Sequence, residues 1–167
     1  YEDELGTYLV KLSRQNLSVH DSHTLSIVLH CIGDFERISD HAINIMEAAQ
    51  EMHNKKLTFS PKAEEELKVF SRAVQDIVEK AYAVFRDQDE KLAQKVEPLE
   101  AVVDDLNQEV KKRHIRRLRN GKCTIELGFI LSDITTSLER VADHCSNIAV
   151  CVTQVRDDTY DTHGYLN

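Results

Sequence analysis

Residues 36–45 read Glu-Arg-Ile-Ser-Asp-His-Ala-Ile-Asn-Ile, and residues 139–148 read Glu-Arg-Val-Ala-Asp-His-Cys-Ser-Asn-Ile. Six of the ten positions are identical, and Ile38 against Val141 is a conservative pair. Neither stretch holds a Gly or a Pro, and apolar residues recur in both at helical spacing, so both read as the middle of a helix. At about 100° per residue, Glu36 and Asp40 fall about 40° apart on one face, one turn above the other. Glu139 and Asp143 repeat that geometry. Phe35, Ile38, Ala42, Ile43 and Met46 fill the arc beside the first pair, and Leu138, Val141, Cys145 and Ala149 the arc beside the second. Like charges at this spacing repel by roughly 0.2–0.5 kcal/mol on an isolated helix. An unfavourable pair written twice beside an apolar face asks for a compensating cation.

The same periodicity runs through nearly the whole chain. Its 167 residues include only 5 Gly and 2 Pro, about 4% where ordinary proteins carry roughly 12%. That shortage argues against a multi-stranded β fold and against a Gly-rich nucleotide loop. Leu5, Leu9 and Leu12 mark a first helix over residues 1–16. Ser18, with Asp21 three residues on, caps a second that reaches about Lys56. Ser60-Pro61 opens a third, to about Arg86. Asp87 and Glu90 pair as a capping box for a fourth, kinked at Pro98 and closed at Asn120-Gly121 by a left-handed glycine. A fifth runs from about Thr124 to Arg156, followed by a polar tail expected to fray. The sequence therefore predicts an all-α fold of five helices in an antiparallel bundle.

With 21 Lys+Arg against 29 Asp+Glu, the formal charge is −8. That balance excludes bulk nucleic-acid binding and favours cations or basic partners. The four cysteines form no Cys-x-x-Cys pair, so neither a zinc ribbon nor a disulfide framework is expected, and a reducing compartment is the default. No apolar run approaches the ~20 residues that span a bilayer, and no signal peptide heads the chain. The sequence opens on Tyr1-Glu2-Asp3-Glu4 without an initiator Met, so a piece of a longer protein is expected.

A third acidic pair, Glu100 and Asp104, lies on the fourth helix with Glu97 on nearly the same face. If helices four and five are antiparallel neighbours, these carboxylates converge with Glu139 and Asp143. Oxygen-rich sites of that kind suit divalent or trivalent metals such as Mg, Mn, Fe or Zn. Two plainer readings stand beside it. Single acidic pairs are commonly solvated faces, and the repeat can be a duplicated packing motif in which Arg37 and Arg140 neutralise the acids. His41 and His144 read as groups that support the ligands from behind or hydrogen-bond between helices, rather than as ligands. No Glu has a His three residues later, which excludes a ferritin-like di-metal site. Lys111, Lys112, Arg113, Arg116, Arg117 and Arg119 crowd the end of helix four, where cations complement the helix dipole; a phosphate-bearing partner or an anionic membrane is the functional reading. His20 and His23 read as exposed. No Ser-His-Asp or Cys-His catalytic arrangement can be assembled.

The two motif copies resemble the paired acidic motifs of PhoU proteins. The resemblance continues in Tyr8-Leu9-Val10-Lys11-Leu12-Ser13, His114-Ile115-Arg116-Arg117-Leu118 and Asn120-Gly121-Lys122-Cys123, and is closest to the PhoU-like domain at the C-terminus of bacterial sodium/phosphate cotransporters. It covers residues 1–156. The family resemblance implies two three-helix repeats, each with a metal cluster. Here it implies a truncated first repeat over 1–58, a second over 59–157, and a tail over 158–167. Carried over, the second cluster would use Glu100, Asp104, Glu139 and Asp143, and the first Glu36 and Asp40, with partner acids lacking unless Glu2 or Asp3 substitutes.

The implied role is regulation of phosphate uptake at the cytoplasmic face of the inner membrane, without catalysis. The implied partners are a transporter membrane domain or a signalling protein, a second copy of the chain in a homo-oligomer, and inorganic phosphate held through the metal. The alternatives are a metal-free interaction or dimerisation scaffold and a metal-assisted phosphoesterase. The last lacks a recognisable general acid or pocket.

Overall fold

Side-chain caps set where most of the helices begin. The computed structural model describes residues 1–156, so the tail over 158–167 lies outside the described residues. Helix α1 (Glu2–Leu12) starts without a side-chain cap and ends four residues short of the expected boundary. Helix α2 (Val19–Lys55) begins where Ser18 Oγ accepts the Asp21 N–H at 3.1 Å. At α3 (Pro61–Asp87), Ser60 accepts the Ala63 N–H and Pro61 takes the first position, where its missing N–H costs nothing. The turn before α6 (Ile125–Arg156) closes where Thr124 Oγ1 accepts the Leu127 N–H at 3.2 Å.

The expected fourth helix is two pieces, a single turn α4 (Glu90–Ala93) and α5 (Val96–Arg119). Pro98 has no N–H to give the Gln94 carbonyl, so the helix breaks at Gln94–Lys95 and restarts with Pro98 in its first turn, where proline is tolerated. The cap also differs from expectation. Asp89, not Asp87, accepts the Leu92 N–H, while Asp87 belongs to α3 and holds Arg86 at 2.7 Å. The other end of α5 is as the sequence predicts. Gly121 turns left-handed (φ 64°), and the Gly121 and Lys122 N–H groups bond the Leu118 and Arg117 carbonyls.

The described residues are all-helical. Helix α6 is the axis of the bundle: it packs against α2, α3 and α5 and touches α4, while α3 also packs on α5. The buried stripe of α3, Phe70, Val74, Ile77, Ala81 and Val84, follows the helical period and meets Val96, Val103 and Val110 of α5 and Leu138, Val141, Ala142, Cys145 and Ile148 of α6. Fully burying a side chain such as Phe70 or Ile77 is worth about 1.5–3 kcal/mol.

Helix α2 lies along α6 in antiparallel fashion, with Lys55 near Glu126 at one end and Cys151 against the Ile27 carbonyl at the other. Its backbone runs beside α6 and α1, and it reaches α3 only by side chains such as Phe35, whose ring meets Phe85 edge-on at 4.9 Å. That leaves Ile43 48% and Met46 59% exposed, although both belong to the apolar arc read from the sequence. Hydrophobic periodicity identifies a face, and one flanking helix is too narrow to cover it. No described helix is long and apolar enough to cross a membrane.

Candidate metal centre

Helices α5 and α6 run antiparallel, and their acidic pairs meet. One carboxylate oxygen each from Glu100, Asp104 and Asp143 lies within 4.8 Å of the others, all three side chains being half-buried. The i, i+4 spacing puts Glu100 and Asp104 on one α5 face, and the buried Val103 between them turns that face toward α6. Burial raises the Glu100 carboxyl above its ordinary range, and the charges of Asp104, Asp143, Glu97 and Glu139 push it further. Asp104 is raised in the same way, by burial and then by Glu139, Asp143 and Asp105, against a weaker opposing pull from Lys111.

Glu139 stands beside the three without joining their common approach. It is within electrostatic range of both α5 acids and 3.8 Å from Lys111 Nζ. Asp143 is also held by Arg140 Nη1 at 3.0 Å. Glu100 and Asp104 have no ion-pair partner among the described residues. Three acidic oxygens packed this closely fit a hard cation: charge, donor type and spacing all match, and the raised carboxyls mark the repulsion a cation would relieve.

The first motif copy has a different setting. Glu36 and Asp40 are exposed on α2, and among the described residues no third acid, His or Cys joins them in a metal-sized group. Glu2 approaches the same helix one turn earlier, its Oε1 lying 3.9 Å from where a Cβ on Gly33 would stand.

Between the two copies the histidines meet. The His41 and His144 rings stack at 5.8 Å, 25° apart. His144 Nδ1 bonds Asp34 Oδ1 at 2.8 Å, and Asn147 donates to the same oxygen at 3.3 Å. His41 Nδ1 is buried without a partner, and burial followed by the charges of His144 and Arg140 lowers its pKa. His144 makes the interhelical hydrogen bond that the sequence suggested, whereas His41 meets α6 through its ring and its Nδ1 makes none. Asp34 was not foreseeable from the repeat, because the equivalent position of the second copy holds Ser137.

The PhoU domain family matches residues 67–152, which takes in Glu100, Asp104, Glu139 and Asp143 but not Glu36 or Asp40. A phosphate-specific transport system accessory protein PhoU homolog 1 from Thermotoga maritima is 27% identical over 137 residues, 82% of this chain and 58% of the relative. A phosphate-specific transport system accessory protein PhoU homolog from Synechocystis sp. is 27% identical over 156 residues, 92% of this chain and 66% of the relative. The chain thus spans about three fifths to two thirds of the length of these relatives.

Proposed function

This chain belongs to the PhoU domain family, and from that premise we propose that it is a non-catalytic, metal-binding domain that regulates phosphate uptake. The observation that carries the metal reading is the mutual approach of Glu100, Asp104 and Asp143 within 4.8 Å. An all-carboxylate donor set selects hard cations, so Mg, Mn or ferric iron fits better than zinc, which usually recruits nitrogen or sulfur. Glu139 completes the site if it leaves Lys111, since its carboxylate already faces the α5 acids. The regulatory reading rests on the two relatives, both named as accessory proteins of phosphate-specific transport. The partner is then a transporter membrane domain, such as that of a sodium/phosphate cotransporter, or a signalling protein at the cytoplasmic membrane face. The two motif copies and their flanking helices belong to two successive PhoU repeats, the second over residues 59–157.

A metal-free scaffold is the second reading, favoured by the Arg140–Asp143 and Lys111–Glu139 pairs, which already compensate part of the acid. Metal analysis after dialysis against Mn²⁺ and removal of free ion separates the two. A metal centre retains stoichiometric Mn²⁺ and loses it in Asp143→Asn; retention of none by the unaltered chain overturns the metal reading.

A further inference from the structure

Toward the other end of α5 from the carboxylate cluster, the start of α3 and the end of α5 form a cleft of about 710 Å³. Lys62, Arg113, Arg116, Arg117 and Lys122 line it, with Glu66 and Glu109 as its carboxylates. In a chain of net charge −8 this is a local excess of positive charge. Dipole compensation explains it poorly. The Arg116, Arg117 and Leu118 carbonyls at the end of α5 already accept the Asn120, Lys122 and Gly121 N–H groups. The left-handed turn at Gly121 instead brings Lys122 back beside Arg117.

The cations are unequally engaged. Arg113 binds Glu109 at 2.7 Å. Lys62, Arg116 and Lys122 have no ion pair within 4 Å among the described residues. Arg117 is the telling one, its side chain only 14% exposed. Its Nη1 takes both Glu66 oxygens, at 3.0 and 2.8 Å, while Nε and Nη2 are buried with no partner. Those two are the parallel donor edge of a guanidinium, the fork that matches two oxygens of a carboxylate or phosphate. Leaving such donors unpaired in a buried place is costly. Arg117 also lines an adjoining recess of about 270 Å³ with Ser60, Lys122 and Cys123. The α3 N-terminus opens onto both spaces and adds its own positive end.

We propose that this cleft binds a phosphate group, either inorganic phosphate or the head of a small organic phosphomonoester. The oxyanion sits against the free edge of Arg117, with Arg116, Lys122 and Lys62 closing over it. The site needs no metal, so it stands whether or not the carboxylate cluster holds one.

Calorimetric titration of the EDTA-treated chain with inorganic phosphate, and in parallel with glycerol 3-phosphate, tests it; the tighter of the two identifies the source. Saturable binding is expected in the absence of metal. Arg116→Gln combined with Lys122→Gln, both at exposed positions, should weaken it by about tenfold. Arg117→Lys, which keeps the charge and removes the fork, should weaken it by a similar factor, with circular dichroism confirming an intact helical fold. Absence of binding to the metal-free chain, binding that appears only after Mn²⁺ is added, or an affinity unchanged in the double variant overturns the proposal. The second of these outcomes would assign phosphate to the carboxylate cluster instead.

Discussion

The α2 and α6 copies of the motif carry the same Glu, Arg, Asp, His and Asn in the same order, and they end in different chemical surroundings. On α6, Asp143 faces Glu100 and Asp104 of a neighbouring helix, and the three carboxylates crowd together. On α2, Glu36 and Asp40 stay exposed, and among the described residues no facing helix brings a third metal-binding side chain to them. The histidines diverge because the copies differ just before the motif: His144 reaches Asp34, while the second copy holds Ser137 at the equivalent position and His41 Nδ1 finds no partner. A ligand cluster is thus a property of a pair of helices. The motif supplies half of it, and the facing helix decides whether the other half exists.

The largest effect expected from this asymmetry is in metal affinity. Asp143→Asn should weaken Mn²⁺ binding by about a hundredfold, since it removes a ligand oxygen's charge from the crowded site. Asp40→Asn, the same change in the other copy, should leave the affinity within about twofold. Calorimetric titration of both variants checks this, and equal losses would break the comparison.

Packing gives the next contrast. A Cβ on Gly128 would stand 2.8 Å from His114 Nε2, a buried ring pinned between α5 and α6. Gly128→Ala should therefore cost about 1–3 kcal/mol in urea unfolding. Gly33 on α2 meets only Glu2 Oε1, at 3.9 Å. Gly33→Ala lies inside a helix with room to spare and should stabilise by about 0.5–1 kcal/mol. Opposite signs are the expected result; a loss at both would mean that α1 and α2 pack as tightly as α5 and α6.

The ends of the helices sharpen the contrast further. The last residue of the α5 turn is a glycine in the left-handed region, but α2 ends on Lys56 at φ 53° with the same hydrogen bonds to Met52 and His53. Gly121→Ala should cost about 1 kcal/mol, for its Cβ would meet nothing and the strain is all in the backbone. Lys56→Gly should gain about 0.5 kcal/mol by relieving the matching strain. Thermal melts of the two variants should move in opposite directions.

How far these features could be read in the sequence depends on how local their causes are. The caps at Ser18 and Ser60 and the turn at Gly121 were legible, because each is settled within a few residues. The meeting of Glu100 and Asp104 with Asp143 was legible as well, since a short turn makes α5 and α6 neighbours. Arg117 and Glu66 are 51 residues apart, and Asp34 and His144 are 110 apart. No periodicity or repeat relates either pair, so both required the packed structure. The exposure of Ile43 and Met46 was hidden for a different reason: an apolar arc does not say how many helices will cover it.

The smallest effect concerns pH and the metal-free protein. Burial and neighbouring acids raise the folded-state pKa of Glu100 and Asp104 above their unfolded values. Above both values the carboxylates are ionised in either state, and their crowding costs the native state. As pH falls through the raised folded values, the native state takes up protons before the unfolded chain does, so the contribution of these two groups to stability improves. Burial lowers the pKa of His41 and His114, which acts in the opposite direction on acidification. Comparison with Glu100→Gln/Asp104→Asn isolates the carboxylates, because the histidines are common to both proteins. As the pH falls from neutral toward the ordinary carboxylate range, about pH 4–4.5, the melting temperature of the unaltered chain should rise relative to the variant by about 1–2 °C. The same comparison made with Glu36→Gln/Asp40→Asn should show no such relative rise, because these acids lie apart from the crowded group; a rise of equal size there would place the two copies in equivalent surroundings.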